Sequence, residues 1–383
     1  MERRIAVVGA GSTTFEPDTV GQSWKELMYE GASSAYRDAG LNPRKDIDSF
    51  VTCAEDYWEG FSIYDEFVPD QLGAVLRPAC TVSGDGLHGL AIACIQIMSG
   101  MVDVVAVEAH SKISDLITYN DVVLHAFDPV YNKPLAGHPY YVVGMEMNAF
   151  LDSSGNTEEH CAGVVSKNRT NALRNPLAPY GGEISVDDVM ESEPLFSPAK
   201  KLDISELVDG SIVLVLARAE KVKEITDEPV WITGFGWNSD TPWLEGRDWG
   251  RASYAESSSK MAYKMAGIAN PVDEVDFAEV DDKFSYKELM HIEALGLAGR
   301  GQAGSDLESG RFHPDGDFPI NVSGGSLGCG NLLEASGLHR ALEVVLQLRG
   351  KADGRQLKDV ERGLAQSWRG VPTASGAAMV FER

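Results

Sequence analysis

The chain has 383 residues, of which 43% are hydrophobic and 24% charged, and this composition excludes a largely disordered protein. The formal net charge of −25 is spread along the sequence and excludes an extended nucleic-acid-binding surface, which would need a basic stripe. An anionic ligand would therefore need a local basic patch. The length predicts about two or three folding units.

Cysteine usage argues against both a disulfide framework and a metal site within this chain. The five cysteines are widely separated and form no Cys-x-x-Cys pair: Cys53, Cys80, Cys94, Cys161 and Cys329. The charged start is followed directly by an apolar run that is too short for a signal peptide, and no stretch reaches membrane-spanning length. We therefore expect a cytoplasmic protein that binds neither membrane nor nucleic acid.

The first elements predicted along the chain are a strand, a helix and a second strand. Residues 5–8 form a short apolar strand, and residues 24–39 have the pattern of a helix. Gly40 suits the C-cap of that helix, and Pro43 follows soon after. Residues 47–51 then lead into the next strand.

A segment of the first half recurs, with similar residues, in the second half of the sequence. AYRDAGLNPRKDIDSF at residues 35–50 closely matches AYKMAGIANPVDEVDF at residues 262–277, and a strand is predicted before it at residues 231–235. This repetition predicts two similar halves, residues 1–225 and 229–383. Because helices alternate with short strands, we expect an α/β fold with sheets covered by helices.

A segment of different composition interrupts the first half. Residues 112–205 are rich in Asn, Pro, Tyr and Gly, and they precede the strand predicted at residues 211–217. We interpret this segment as an inserted loop domain. Long loops inside a compact domain are usually functional.

Five motifs, in order along nearly the whole chain, resemble those of thiolases. SGDGLHG at residues 83–89 resembles the nucleophile loop Cys-Gly-Ser-Gly-Leu-Gln-Ala, and VEAHS at residues 107–111 resembles the strand that leads to Glu-x-Met-Ser. Gly144-Met145-Glu146 resembles the loop-domain helix, AEVDDKF at residues 278–284 the Asn-Glu-Ala-Phe segment, and NVSGGSLGCGNLLEASG at residues 321–337 the Gly-His-Pro segment. The sterol-carrier-protein-like and archaeal branch is most similar, because residues 366–370 lack the Cys-x-Gly of bacterial thiolases.

The resemblance implies a thiolase fold, with two similar halves in a layered α-β-α-β-α arrangement. It implies CoA or an acyl-CoA as substrate and no covalently bound cofactor. Members of this branch pair with a small zinc-ribbon and OB-fold protein, so zinc is expected only in such a partner subunit. It also implies a homodimer formed through the strand at residues 104–107, whose unbroken apolar run would otherwise be an exposed sheet edge.

The nucleophile position of the thiolase motif carries Ser83. Thiolases place a cysteine thiolate there, and a serine alkoxide is much harder to form. Ser83 is also a natural helix N-cap. Cys80, three residues earlier, is an alternative nucleophile or a buried small residue. His88, one turn beyond Ser83, is a possible base or simply a packed histidine.

The oxyanion positions are also substituted. Asn331 replaces the histidine of Gly-His-Pro, and its amide suits a thioester oxygen, as in the related type III ketoacyl synthases. Asp281 stands where thiolases carry Asn or His, and it would serve as an acid or base if burial raises its pKa. Alternatively, Asp282 and Lys283 form an ion pair. The resemblance assigns CoA contacts to Ser323, Gly324, Gly325 and Lys283.

The sequence is compatible with three functions. The first is a thiolase of atypical active site that acts on a bulky 3-oxoacyl-CoA, similar to benzoylsuccinyl-CoA thiolase. The second is a retro-aldolase on a β-hydroxyacyl-CoA, although steroid side-chain aldolases carry tyrosines at the positions of Asp281 and Leu333. The third is a non-catalytic scaffold subunit of an acyl-CoA enzyme.

Overall fold

The computed structural model describes residues 5–55, 63–135 and 137–383. The charged start at residues 1–4 lies outside this part. The strands are β1 Ile5–Ser12, β2 Ser49–Cys53, β3 Ala79–Val82, β4 Val104–Ser111, β5 Pro194–Phe196, β6 Ala199–Lys200, β7 Gly210–Arg218, β8 Val230–Ser239, β9 Phe277–Glu279, β10 Arg362–Trp368 and β11 Ser375–Glu382.

The helices follow the same order along the chain. They are α1 Trp24–Ala39, α2 Pro43–Asp46, α3 Pro69–Leu72, α4 Gly86–Met98, α5 Tyr119–Val123, α6 Tyr141–Ser154, α7 Glu158–Ala172, α8 Val186–Met190, α9 Ala219–Ile225, α10 Ser253–Ala266, α11 Pro271–Glu274, α12 Ser285–Ala294, α13 Ala303–Glu308, α14 Gly325–Cys329 and α15 Ser336–Arg349. None of the helices in the described part of the chain is long and apolar enough to cross a membrane.

Local signals fix the ends of α1. Its first turn is closed by a capping box, in which the Ser23 side chain accepts from the Glu26 backbone and the Glu26 carboxylate accepts from Ser23. Gly40 ends the helix at φ 66°, a left-handed conformation that glycine adopts without strain. The predicted bounds of this helix are therefore confirmed. The equivalent helix of the repeat, α10, ends at Gly267 in the same way.

Nine strands form one mixed sheet in the order β3-β2-β4-β7-β1-β8-β11-β10-β9. The first five strands belong to the first half of the sequence and the last four to the second. The two groups meet where β1 pairs with β8 over two residues only, Ala6 with Trp231 and Val7 with Val230. Each half of the repeat therefore supplies its own sheet segment.

Helices cover both segments and separate them. α1 packs on β1, β4 and β7, and α10 packs on β8, β10 and β11. α4 and α15 lie between, and each contacts strands of both groups as well as the other helix. This is the predicted layered α-β-α-β-α arrangement. The segment between β4 and β7 carries α5 to α8 and the small β5–β6 pair, and its helix α7 packs on α12 and α14.

The prediction that residues 104–107 form a sheet edge is wrong. β4 lies inside the sheet, paired in parallel with β2 and antiparallel with β7. All of its residues are buried because helices cover both faces, and a continuous apolar run is typical of such a strand. The edge of the first half is β3, whose four residues are half-buried.

Candidate active site at the N-terminus of the central helix

Asp85, not Ser83, caps helix α4. One Asp85 carboxylate oxygen accepts from the Leu87 backbone N–H at 3.0 Å, and the other accepts from the Gly337 N–H at 2.9 Å. The carboxylate is buried and joins α4 to the start of α15. The interpretation of Ser83 as the N-cap is therefore wrong. Because a negative charge already occupies the positive end of the helix dipole, little of that field is left to stabilise an alkoxide at Ser83.

Ser83 is held by an ion pair that crosses between the two halves. Its hydroxyl donates to a Glu55 carboxylate oxygen at 2.8 Å and accepts from the Arg369 guanidinium at 3.0 Å. Arg369 Nε also donates to Glu55 at 2.6 Å, although the two residues are 314 positions apart in sequence. No sequence signal pointed to Glu55 or Arg369. Glu55, Ser83 and Arg369 line a pocket of about 750 Å³, which Tyr64 and Glu334 also line.

Cys80 lies away from this helix end. Its half-buried sulfur accepts from the Gln96 side-chain amide at 3.6 Å. Gln96 comes ten residues after the first residue of α4, which corresponds to about 15 Å along the helix. Burial raises the pKa of the Cys80 thiol. A thiol in this position is a poor nucleophile, and its place supports the alternative of a packed small residue.

His88 lies in the first turn of α4 and does not hydrogen-bond Ser83. Its backbone N–H donates to Asp85, and among the described residues its buried Nδ1 has no partner. Burial lowers the pKa of His88, and Arg369 adds to this while Asp85 opposes it. The imidazole is therefore neutral near pH 7, and the geometry assigns it no proton to move.

Asp281 is an ionised carboxylate in a buried ion pair. Its Oδ2 lies 2.9 Å from Lys283 Nζ and 3.2 Å from Arg340 Nη2, and it also accepts from the Trp368 N–H. Burial alone would raise the pKa of Asp281, but Arg340 and Lys283 hold it well below the usual range. The condition for Asp281 to act as an acid or base, a raised pKa, is therefore not met. The partner of Lys283 is Asp281, not Asp282 as the alternative had it.

The glycine-rich segment around α14 packs against two buried carboxylates, those of Asp282 and Glu279. Asp282 accepts from the Ser326 N–H at 2.6 Å, and burial, with the nearby Glu288, raises its pKa to about 6. A Cβ on Gly325 would come within 2.1 Å of Asp282, and one on Gly324 would meet Ala172.

The polar groups predicted to contact CoA are satisfied inside the protein. The Ser323 hydroxyl donates to Glu279 at 2.6 Å, and Lys283 Nζ is bound to Asp281 and to the Trp368 carbonyl. Ser323, Gly324 and Gly325 are all buried. Their positions explain local packing and give no support to the predicted CoA contacts of Ser323, Gly324, Gly325 and Lys283.

Asn331 presents a hydrogen-bond donor that the fold does not use. Its side-chain oxygen accepts from the Leu333 N–H at 3.0 Å and from the Ser336 hydroxyl at 3.3 Å. Its Nδ2 has no partner among the described residues, although the side chain is 5% exposed. A second pocket of about 760 Å³, in the inserted segment, is lined by Leu207, which pairs with Asn331. Glu334, three residues after Asn331, lines the pocket of Ser83.

A metal centre has no ligand set here. In residues 5–55, 63–135 and 137–383, no three His, Cys, Asp or Glu side chains are arranged to hold a metal ion.

Comparison with known proteins agrees with this architecture. The family described as thiolase C-terminal domain-like matches residues 239–383. An acetyl-CoA acetyltransferase of Methanothermobacter thermautotrophicus is 29% identical over 100% of both chains. Sterol carrier protein 2 of Bos taurus is 27% identical over 93% of this chain and 68% of its own. A solved structure of the Ltp2-ChsH2(DUF35) aldolase has a TM-score of 0.84 at 24% identity, covering 99% of this chain and 98% of that one.

The layered fold and the helix-end site define a thiolase-fold protein, although the position of the catalytic cysteine carries a serine. Residues 239–383 match the thiolase C-terminal domain-like family, and over nearly its full length the chain is similar to an acetyl-CoA acetyltransferase and to sterol carrier protein 2.

Proposed function

We propose that this protein cleaves or forms a carbon–carbon bond β to a CoA thioester by a non-covalent, aldolase-type reaction on a β-hydroxyacyl-CoA. The observation that carries the proposal is the group at the start of α4. There, Ser83 is bound between Glu55 and Arg369, and the cysteine that packs against the first turn of α4, Cys53, is buried with its pKa raised well above the usual range.

A thiolase needs an acyl-enzyme, and therefore an activated nucleophile. The Ser83 hydroxyl donates to Glu55, but that carboxylate is already neutralised by its ion pair with Arg369. The capped helix offers a Ser83 alkoxide little stabilisation. Retro-aldol cleavage, in contrast, requires only a base for the β-hydroxyl and a donor for the thioester oxygen.

The unpaired Nδ2 of Asn331 is suited to that second task. As the Cα–Cβ bond breaks, its electron pair moves into the thioester, and the carbonyl oxygen becomes an enolate oxygen. The Asn331 side chain is held in place because its oxygen accepts from Leu333 and Ser336. Its N–H donor therefore does not have to reorient as charge develops on the thioester oxygen. Proton transfer to Cα then completes the shortened acyl-CoA, and the former β-carbon leaves as a carbonyl compound.

A thiolase acting on a bulky 3-oxoacyl-CoA is the second candidate. The full-length similarity to a protein named acetyl-CoA acetyltransferase favours it, as does the 2.8 Å hydrogen bond from Ser83 to Glu55, a carboxylate within reach of the hydroxyl. In that reaction Ser83 would carry the acyl group and free CoA would release it.

The two reactions are separated by their need for free CoA. The purified protein, with any protein that co-purifies, is incubated with β-hydroxyacyl-CoA and 3-oxoacyl-CoA thioesters, and the products are followed by mass. We expect cleavage of the β-hydroxyacyl-CoA without free CoA and no acylated peptide. Cleavage of the 3-oxoacyl-CoA that needs free CoA and leaves an acyl group on Ser83 would instead identify the thiolase. Turnover of neither class would favour the scaffold role.

The proposal includes a partner subunit and a cytoplasmic location. The aldolase of similar fold was solved as an Ltp2-ChsH2(DUF35) assembly, which supports an assembly here too. We expect a small zinc-ribbon and OB-fold protein to bind this chain. Because no ligand set for a metal was found in the described residues, zinc in the purified complex should follow that partner.

We also propose a homodimer, formed through β3 and not through β4. Within the described part of the chain, the outer side of β3 pairs with no other strand, and apolar side chains are exposed in the segments before and after it: Leu76, Ile95, Met98 and Met101. Antiparallel pairing of the β3 strands of two protomers would cover both the sheet edge and these apolar side chains.

Met98→Glu tests this interface. A charge in its centre is expected to convert the dimer into a monomer in sedimentation velocity. The matched control is Met261→Glu, since Met261 has nearly the same exposure on α10 of the other half. A wild-type monomer, or equal effects of the two variants, would contradict the interface.

A further inference from the structure

Three buried side chains form a hydrogen-bonded chain behind the pocket of Ser83. Glu108 and His110 are alternate residues of β4 and point to the same face of the sheet. A Glu108 carboxylate oxygen lies 3.0 Å from His110 Nδ1, and His110 Nε2 lies 2.7 Å from the Tyr64 hydroxyl. All three are at most 2% exposed.

The chemistry of the end group sets the direction of these hydrogen bonds. A carboxylate only accepts, so His110 Nδ1 carries the proton and donates to Glu108. In the neutral imidazole Nε2 is then the acceptor, and the Tyr64 O–H donates to it. The second oxygen of Glu108 is fixed by the Thr52 hydroxyl at 2.6 Å. The order hydroxyl, imidazole, carboxylate is that of a nucleophile–histidine–carboxylate triad, with a phenol in first place.

The Trp24 ring packs against Tyr64 and His110, and Tyr64 also lines the pocket. The Trp24 ring lies 5.1 Å from that of Tyr64 and is stacked on His110 at 5.8 Å. Tyr64 lines the same pocket as Ser83, Glu55 and Arg369. The thiolase motif that this strand resembles has methionine at the position of His110, so the family pattern does not explain the histidine.

We propose that Tyr64 is the general base of the reaction, with His110 and Glu108 as the positioning residues that accept and stabilise its proton. The inference rests on the proposed aldolase function. As the β-hydroxyl gives its proton to the Tyr64 oxygen, the Tyr64 proton passes to His110 Nε2, and the imidazolium is paired with Glu108. The Cα–Cβ bond breaks towards the enolate on Asn331. The same chain returns one proton to Cα, which leaves all three side chains in their starting state.

Tyr64→Phe is the decisive variant, because it removes a single oxygen atom. We expect kcat for the β-hydroxyacyl-CoA to fall by about 10²–10⁴-fold, with KM within about twofold, as for loss of a general base. His110→Gln should lower kcat in the same sense and leave KM unchanged. A purely structural role would lower the folded fraction and the apparent kcat in proportion, so kcat is calculated per folded enzyme, with the folded fraction measured by circular dichroism.

Tyr36→Phe is the matched control. Tyr36 is also a buried tyrosine, and its hydroxyl donates to the Leu72 carbonyl at 2.9 Å, outside the pocket. Its variant is expected to keep the wild-type kcat. Tyr64→Phe with kcat within threefold of an active wild type would overturn the inference and leave the aldolase function standing. A wild type without β-hydroxyacyl-CoA cleavage would overturn both.

Discussion

Asn331→Asp is expected to lower kcat for the β-hydroxyacyl-CoA by about 10²–10³-fold, the usual effect of losing one oxyanion donor. Aspartate keeps the side-chain oxygen that accepts from Leu333 and Ser336 but has no N–H to offer the thioester oxygen. It also brings a negative charge towards the developing enolate. Steady-state kinetics with the CoA thioester measure the effect, and denaturant unfolding reports whether the fold is affected.

Asn175 is a matched control for this substitution. It is buried like Asn331, and its side-chain oxygen likewise accepts from the backbone N–H two residues on, at Leu177. Its Nδ2, however, donates to the Ser323 carbonyl at 2.9 Å. Asn175→Asp should therefore cost stability, about 1–3 kcal/mol for an unsatisfied buried acceptor, and should leave kcat of the folded enzyme nearly unchanged. If both variants lose stability and neither loses activity, Asn331 is a structural residue.

Asp281→Asn is expected to lower the free energy of unfolding by about 3–5 kcal/mol, the cost of breaking a buried ion pair by removing one partner. The substitution keeps the size of the side chain but leaves Lys283 with only the Trp368 carbonyl. Arg340 keeps the Asp282 carboxylate at 3.4 Å, which reduces the loss and favours the lower end of the range. Urea or guanidinium unfolding at pH 7 measures the difference.

Asp306→Asn supplies the comparison on the surface. Asp306 pairs with Arg311 at 2.5 Å, but both side chains are more than one fifth exposed, and such pairs contribute less than about 1 kcal/mol. Equal losses in the two variants would mean that the buried site of Asp281 is open to water in solution. A loss at Asp281 alone confirms that this carboxylate is a structural anion, which agrees with its lowered pKa.

Much of the fold is readable in the sequence because its signals are local. The capping box at Ser23 and the glycine at position 40 fix α1, and the repeated phrase at residues 262–277 fixes its counterpart α10. Each of these features acts within one or two helical turns. The layered class of the fold follows from that repetition and from the motif order. The substitution of the nucleophile by Ser83 is likewise visible in a single loop.

The class of the fold, the bounds of its repeated helices and the loss of the catalytic cysteine were therefore predictable from the sequence. The tertiary structure adds which groups face each other. It put β4 inside the sheet, gave the cap of α4 to Asp85, paired Asp281 with Lys283, and joined Glu55 to Arg369 across 314 residues. Backbone hydrogen bonds and hydrophobic periodicity are short-range and leave a trace along the chain. Strand order and the pairing of buried charges depend on how distant segments pack, which the local pattern does not encode.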